Sequence, residues 1–187
     1  NNANISQSNA LLLDSFGLSN IEIIRNFSEV QKKDKEQYLN KILHDFDANI
    51  ESFKIIGDSP QCKVNNKWLE ITELGDGVGH LISIVSSIFS AAHGYLFIDE
   101  IENGVHYTYL KKLWEIIFKV SKEVDCQVFA TSHSKECIEA FNLVNAENSG
   151  VYIEFYQNLK KGTKEIKYRD SEQLEYALTH QGNYRGE

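Results

Sequence analysis

Three short segments hold the residue types from which chemistry can be built. Asp99 and Glu100 end the apolar run Gly94-Tyr95-Leu96-Phe97-Ile98, and His133 follows a second run, Cys126-Gln127-Val128-Phe129-Ala130, after Thr131-Ser132. A carboxylate at a strand tip can hold Mg²⁺, usually through water, while its neighbour accepts a proton from an attacking water. A histidine at the tip of the adjacent strand can touch a terminal phosphate. The third segment, Leu74-Gly75-Asp76-Gly77, opens a helical pattern from Val78, and free N–H groups at a helix start attract phosphate. Each segment also has a plain structural reading. Asp99-Glu100 can simply leave the core, His133 can be a loop residue, and the glycines can form an ordinary turn. Taken together and in this order, they favour a nucleotide site.

Such residues need a sheet to present them, because ligands of open parallel sheets bind at the carboxyl ends of strands. From Thr72 onward the pattern alternates helix and buried strand. Leu81, Ile84, Val85, Ile88, Phe89 and Ala92 mark one helix, and Leu110, Leu113, Trp114 and Ile117 the next. Residues 94–98 and 126–130 read as buried parallel strands, and Ile138, Ala140, Phe141 and Val144 mark a helix after His133. The tail adds strands over Val151–Gln157 and Thr163–Tyr168 around the Lys160-Lys161-Gly162 loop. Asp170 and Gln173 resemble a capping box opening a last helix through Leu178.

Ahead of this lies a different region. Asn20 to Asp47 reads as helical, with Ile21, Ile24 and Phe27, then Tyr38, Leu39, Ile42, Leu43 and Phe46 at helical spacing. Between Ile50 and Ile71 the period shifts towards two. Phe53, Ile55, Val64, Trp68 and Ile71 alternate with polar residues, Pro60 punctuates the stretch, and Asn65-Asn66 stands where a hairpin turns.

Composition narrows the class. The chain has 187 residues, 42% hydrophobic, which is enough for one domain, or most of one, with a real core. A net charge of −8 argues against a surface coated with phosphate-binding basic residues. The pairs Lys32-Lys33, Lys111-Lys112 and Lys160-Lys161 are scattered and read as solvated faces. No apolar run approaches the roughly 20 residues of a membrane span, and Asn1 to Asn9 lack the basic start of a signal peptide. Cys62, Cys126 and Cys137 are widely spaced, without a CxxC, and read as apolar residues of a reducing cytosol. The chain holds no Met, even at position 1, which predicts a processed product or a fragment.

The order of the motifs carries a resemblance. "LGDG" and a helix, "YLFIDEIENGVH" and a helix, then "VFATSHS" resemble the C-terminal half of an ABC-class ATPase. The likeness is strongest to stand-alone bacterial AAA-family ATPases related to the overcoming-lysogenization-defect (OLD) group, cousins of the chromosome-structural-maintenance ATPases. It spans Thr72 to Phe141, and the tail, with "YRDSEQLEYAL" and a Gly-Asn-Tyr-Arg-Gly ending, is similar to the family's C-terminus. Residues 1–71 match in general character, as a helical and hairpin insert. The resemblance implies an α/β fold, the C-terminal lobe of a three-layer P-loop NTPase (residues 72–187) with a mainly parallel sheet.

It also implies roles. Asp99 becomes the Walker B carboxylate ordering the Mg²⁺ shell, Glu100 the general base, and His133 the switch histidine on the γ-phosphate. Gly75, Asp76 and Gly77 become the signature turn, which closes on ATP held by the opposite subunit of a homodimer. Asn103, Gly104 and His106 fall where the family makes contacts across the dimer, and His106 equally reads as a helix-start residue. Gly79-His80 stand where relatives often place basic residues. No G-x-x-x-x-G-K-[ST] occurs in the sequence, so the loop cradling the α- and β-phosphates is expected in an N-terminal half outside it. The cofactors implied are ATP and Mg²⁺, with an effector subunit or DNA as family-level partners. A second expectation is a non-catalytic, ATPase-like interaction module. A third, a metal-dependent nuclease on Asp99, Glu100 and Glu102, is disfavoured because only a short tail follows the last strands, where the OLD group places a separate Toprim domain.

Overall fold

A computed structural model describes residues 9–158 and 162–180. The Asn1 to Ser8 segment, the Lys160-Lys161 part of the tail loop and the Gly-Asn-Tyr-Arg-Gly ending lie outside the described residues. The chain forms two compact units, divided between Ser132 and His133.

The first unit begins with a strand the apolar patterning did not single out, β1 (Ala10–Leu13). Two helices follow, α1 (Asn20–Lys32) and α2 (Glu36–Phe46). The single helical stretch expected from Asn20 to Asp47 is thus broken. Asp34 takes the left-handed backbone (φ 53°), which no helix continues through. The start of α1 is fixed by a reciprocal cap: the Glu22 N–H donates to Ser19 Oγ, and the Ser19 N–H donates to Glu22 Oε2. The apolar stripe of α1 is also shifted from the expected one. Ile23, Phe27 and Val30 are buried, whereas Ile21 is exposed.

Residues 50–70 form an antiparallel meander of β2 (Ile50–Ile56), β3 (Ser59–Val64) and β4 (Lys67–Glu70). Asn65 (φ 50°) and Asn66 (φ 62°) make the β3–β4 turn with two consecutive left-handed residues, which asparagine tolerates. Pro60 does not interrupt the region; it lies within β3, opposite Ile55, and the ladder to β4 begins only at Gln61, where no bond is lost to the missing N–H. Phe27 of α1 meets Phe53 of β2 edge-on, with ring centroids 5.0 Å apart, and pins the helices to the meander.

The helix α3 (Asp76–Ser90) is buried on nearly every side from His80 to Phe89. Its internal serines fit because they bond to their own helix: Ser83 Oγ donates to the Gly79 carbonyl and Ser86 Oγ to the Ser83 carbonyl. Next come β5 (Tyr95–Ile98), α4 (Leu110–Val124) and β6 (Gln127–Ala130). The strands form a parallel sheet in the order β1-β5-β6, in register so that Leu13, Ile98 and Ala130 lie in one row. Reading β5 and β6 as buried strands needs correction. Leu96 and Ile98 are buried, but Tyr95, Phe97 and Phe129, on the opposite side of the pleat, are exposed.

The second unit contains α5 (Lys135–Asn145), the antiparallel pair β7 (Tyr152–Asn158) and β8 (Thr163–Arg169), and α6 (Ser171–His180). The Gln173 N–H donates to Asp170 Oδ1, as the sequence leads one to expect at the start of α6. No disulfide joins the three buried cysteines, and burial pushes the Cys62 thiol up to about 12 and that of Cys126 up to about 11. No helix among the described residues is long and apolar enough to cross a membrane.

Candidate nucleotide site

At the carboxyl edge of the parallel sheet the ladders run on into the loops. The Asp99 N–H donates to the Leu13 carbonyl and the Thr131 N–H to that of Ile98, so the tips of β1, β5 and β6 stay in line. Thr131 then joins two of them through its side chain. Its Oγ1 donates to Asp99 Oδ1 at 2.6 Å and accepts the Glu100 N–H at 2.9 Å. Glu100 holds a left-handed backbone (φ 47°), a conformation costing on the order of 1–3 kcal/mol outside glycine. Both carboxylates face solvent. The N–H of Glu100 is held by Thr131 Oγ1, and its carbonyl accepts the Asn103 N–H.

A second cluster lies at the start of α3. Gly75 (φ 85°) takes a backbone that L side chains rarely adopt, and no side chain caps the helix there. Its first N–H groups therefore have no side-chain acceptor. The turn is packed tightly against the loop after β5. A Cβ on Gly104 would stand 2.9 Å from Asp76 Cβ, and one on Gly77 would stand 3.1 Å from the Gly104 carbonyl oxygen. Asn103 ties the same loop to the loop after β1 by donating to the Ser15 carbonyl at 2.6 Å. Between them is a cavity of about 330 Å³ lined by Ser15, Phe16, Asp76, His80, Ser83 and Asn103, among others. Asp99 and Glu100 are not in its lining.

His80 is buried, with Nε2 3.1 Å from the Ile101 carbonyl. Desolvation lowers its pKa, against the opposing pull of that bond and of Glu102, so the neutral ring donates to Ile101. His80 is thus a buried histidine bonded to the backbone, not a basic group presented to a ligand. His106 fits the helix-start reading: it stands at the N-cap position of the short turn Tyr107–Tyr109 leading into α4, with Nδ1 2.9 Å from Thr108 Oγ1 rather than on a backbone N–H. His133 is exposed and opens the second unit just ahead of Ser134, whose Oγ accepts the Cys137 N–H at the start of α5.

The structure thus brings Asp99 and Glu100 together through Thr131, and Gly75, Asp76 and Gly77 together with Asn103 and Gly104. Sequence reasoning missed Thr131 and the β1 loop at Ser15. The signal for the latter was present: Leu11-Leu12-Leu13-Asp14 is the same apolar run ending in an acid that marks β5. Among the described residues no cluster of three or more His, Cys, Asp or Glu is arranged to hold a metal. The donors at the β5 tip, one carboxylate beside a hydroxyl, suit Mg²⁺, which takes one or two carboxylates and completes its shell with water and phosphate.

Residues 3–138 match the AAA ATPase domain. The chain belongs to this family. A curated relative from Helicobacter pylori (strain ATCC 700392 / 26695), an ATP/GTP phosphatase, is 29% identical over 160 residues, covering 81% of this chain and 43% of the relative. The chain therefore spans under half the length of that protein. Among solved structures, a chain from work on ATP-driven dimerization and DNA-stimulated activation of SMC ATPases aligns with a TM-score of 0.57 at 11% identity, covering 88% of this chain and 98% of that one. An Smc head domain from Pyrococcus yayanosii aligns with a TM-score of 0.56 at 13% identity, over 87% of this chain and 34% of that one. These likenesses show the fold: an AAA/ABC-like ATPase domain of the P-loop type.

Proposed function

We propose that the chain is the C-terminal part of an Mg²⁺-dependent ATPase that hydrolyses ATP between two head domains and so drives a change in a partner system. The observation that carries this reading is the Asp99–Thr131–Glu100 arrangement at the carboxyl edge of a parallel sheet in a member of the AAA ATPase domain family. Residues 72–187 act as the C-terminal lobe and 1–71 as a helical and hairpin insert that also carries strand β1 of the parallel sheet. Asp99 orders the shell of Mg²⁺, which when bound neutralises phosphate charge. Glu100 accepts the proton of the attacking water, and His133 contacts the terminal phosphate. Gly75 to Gly77, with the uncapped N–H groups of α3, meet the phosphate of ATP held by the opposite subunit. The reading includes a homodimer formed around ATP, a cytoplasmic location, and an effector subunit or DNA as the partner.

Mg²⁺-ATP turnover tests this, measured on the 187-residue chain beside the polypeptide that joins it to a G-x-x-x-x-G-K-[ST] loop. Turnover is expected only where that loop is present, and it stops when Mg²⁺ is chelated. Turnover that persists with all divalent cations removed overturns the reading. The absence of a P-loop among the 187 residues favours a second reading, an interaction module with an ATPase fold and no hydrolysis of its own. No turnover by either preparation selects it.

A further inference from the structure

The cavity beside the turn into α3 has a chemistry of its own. It measures about 330 Å³ and is walled by the loop after β1, the α3 turn and the loop after β5. That volume stands near the lower end of small-molecule sites, roughly 300–1,000 Å³. Asp99, Glu100 and Thr131 are not in its lining, so the chemistry of the β5 tip does not use it. Buried Ile23 and Ile71 give the cavity an apolar part, and His80, 6% exposed, gives it a polar one.

His80 is bonded on one side only. Its Nε2 lies 3.1 Å from the Ile101 carbonyl, which can only accept, so the proton of the neutral ring sits on Nε2 and Nδ1 keeps a bare lone pair. Nδ1 has no hydrogen-bond partner among the described residues. It faces Gly17, another lining residue, where a Cβ would stand 3.8 Å from it. A bare acceptor on a ring nine-tenths buried calls for a donor from inside the cavity.

Two exposed lining residues narrow what carries that donor. Phe16 is 93% exposed, on a turn fixed by the Phe16 and Gly17 N–H groups, which donate to Asp14. Its ring offers a face on which another flat ring can stack. Asp76 adds a negative charge to the same wall, which repels an anion. The first N–H groups of α3, without a side-chain acceptor, can meet ring nitrogens. We propose that this cavity binds a small, uncharged nitrogen heterocycle of nucleobase size, stacked on Phe16 and donating an N–H to His80 Nδ1. Gly75 and Asp76 belong both to the cavity and to the turn set toward ATP, so occupancy bears on turnover. That consequence rests on the ATPase reading, whereas the binding does not.

Heteronuclear NMR of the 187-residue chain reads both contacts. The probes are adenine, benzimidazole and, as the anionic counterpart, adenosine monophosphate, with the His80 signal assigned by its loss in His80→Gln. Both heterocycles are expected to bind saturably, to shift His80 Nδ1 as a lone pair accepting a hydrogen bond does, and to move the Gly75 and Gly79 amide signals. Phe16→Ala changes a side chain already in water, so the fold should persist while binding weakens about tenfold, the scale of one base–aromatic stack. The monophosphate should bind about tenfold more weakly than adenine, and Asp76→Asn should narrow that gap. His80 signals that stay unmoved up to the solubility of both heterocycles overturn the proposal. So does saturation that Phe16→Ala leaves unchanged, or a monophosphate that binds as tightly as adenine. Binding to this chain with no turnover in the P-loop-bearing protein supports the site and fails the ATPase reading. Turnover there without binding here overturns the site alone.

Discussion

The tip of β5 and the turn ahead of α3 both set acidic residues beside an irregular backbone, yet different forces hold them. At the tip, hydrogen bonds do the positioning: one threonine hydroxyl, Thr131, bridges the Asp99 carboxylate and the Glu100 N–H across two strands. At the turn, contact does it: Gly104 lets its loop approach Asp76 more closely than a Cβ would allow, and Gly77 at the start of α3 makes a nearly as tight approach to the Gly104 carbonyl. A site held by hydrogen bonds tolerates a change of size that keeps the polar atoms. A site held by close approach tolerates no added atom, whatever its polarity.

Four experiments break or sharpen that contrast. The largest effect belongs to the chemistry at the tip. Glu100→Gln keeps the size and the backbone N–H, so the fold should persist while ATP turnover in the P-loop-bearing protein drops about 10²–10⁴-fold. An unchanged rate would remove Glu100 as the base.

Gly104→Ala comes next, with an expected loss of about 1–3 kcal/mol in urea unfolding from overpacking on Asp76 and from its φ of 72°. The control is Gly79→Ala in α3. No atom lies within 4 Å of where its Cβ would stand, so the helix should gain about 0.5–1 kcal/mol. If both substitutions behave alike, close approach is not what holds the turn.

Thr131→Val removes one hydroxyl at an exposed position and should cost about 0.5–1 kcal/mol, with Thr131→Ser recovering most of it. A valine variant as stable as the parent, with unaltered turnover, would show that the bridge does not position the tip.

The smallest effect is the pH dependence of His80. Its folded pKa lies below the ordinary 6.5 because burial disfavours the charged ring. The unfolded chain therefore binds more protons in the window beneath 6.5, and the contribution of His80, complete above that pH, declines as the pH falls through the window. Unfolding curves taken at descending pH should show this decline, reduced in His80→Gln. An identical decline in the variant would assign it to other groups.

Much of the fold was legible because its signals are local. The runs before Asp99 and Thr131 gave two of the three parallel strands, Asn65-Asn66 gave a hairpin turn, and Asp170 with Gln173 gave the start of the last helix. Missed features depended on neighbours. The strand at Ala10–Leu13 carries the same apolar run ending in an acid as β5, but it follows a polar stretch, and its pairing with β5 makes it part of the sheet. Ile21 and Ile23 both fit a helical stripe; packing against the rest of the unit buries Ile23 and leaves Ile21 in water.

The same division runs through the site. Residue type and order alone determined that two carboxylates end a strand, that glycines flank Asp76, and that no phosphate-cradling loop is present. Those features lie within a few residues of one another and need no partner to be recognised. Only the tertiary structure decided that Thr131 binds Asp99, that Gly104 meets Asp76, that His80 is buried beside Ile101, and that one face of the sheet is open. Each of these joins residues at least 20 positions apart in the sequence, or depends on which side of a strand the core covers. Spacing along the chain encodes period and local bonding, and distance in space is set by how the elements pack.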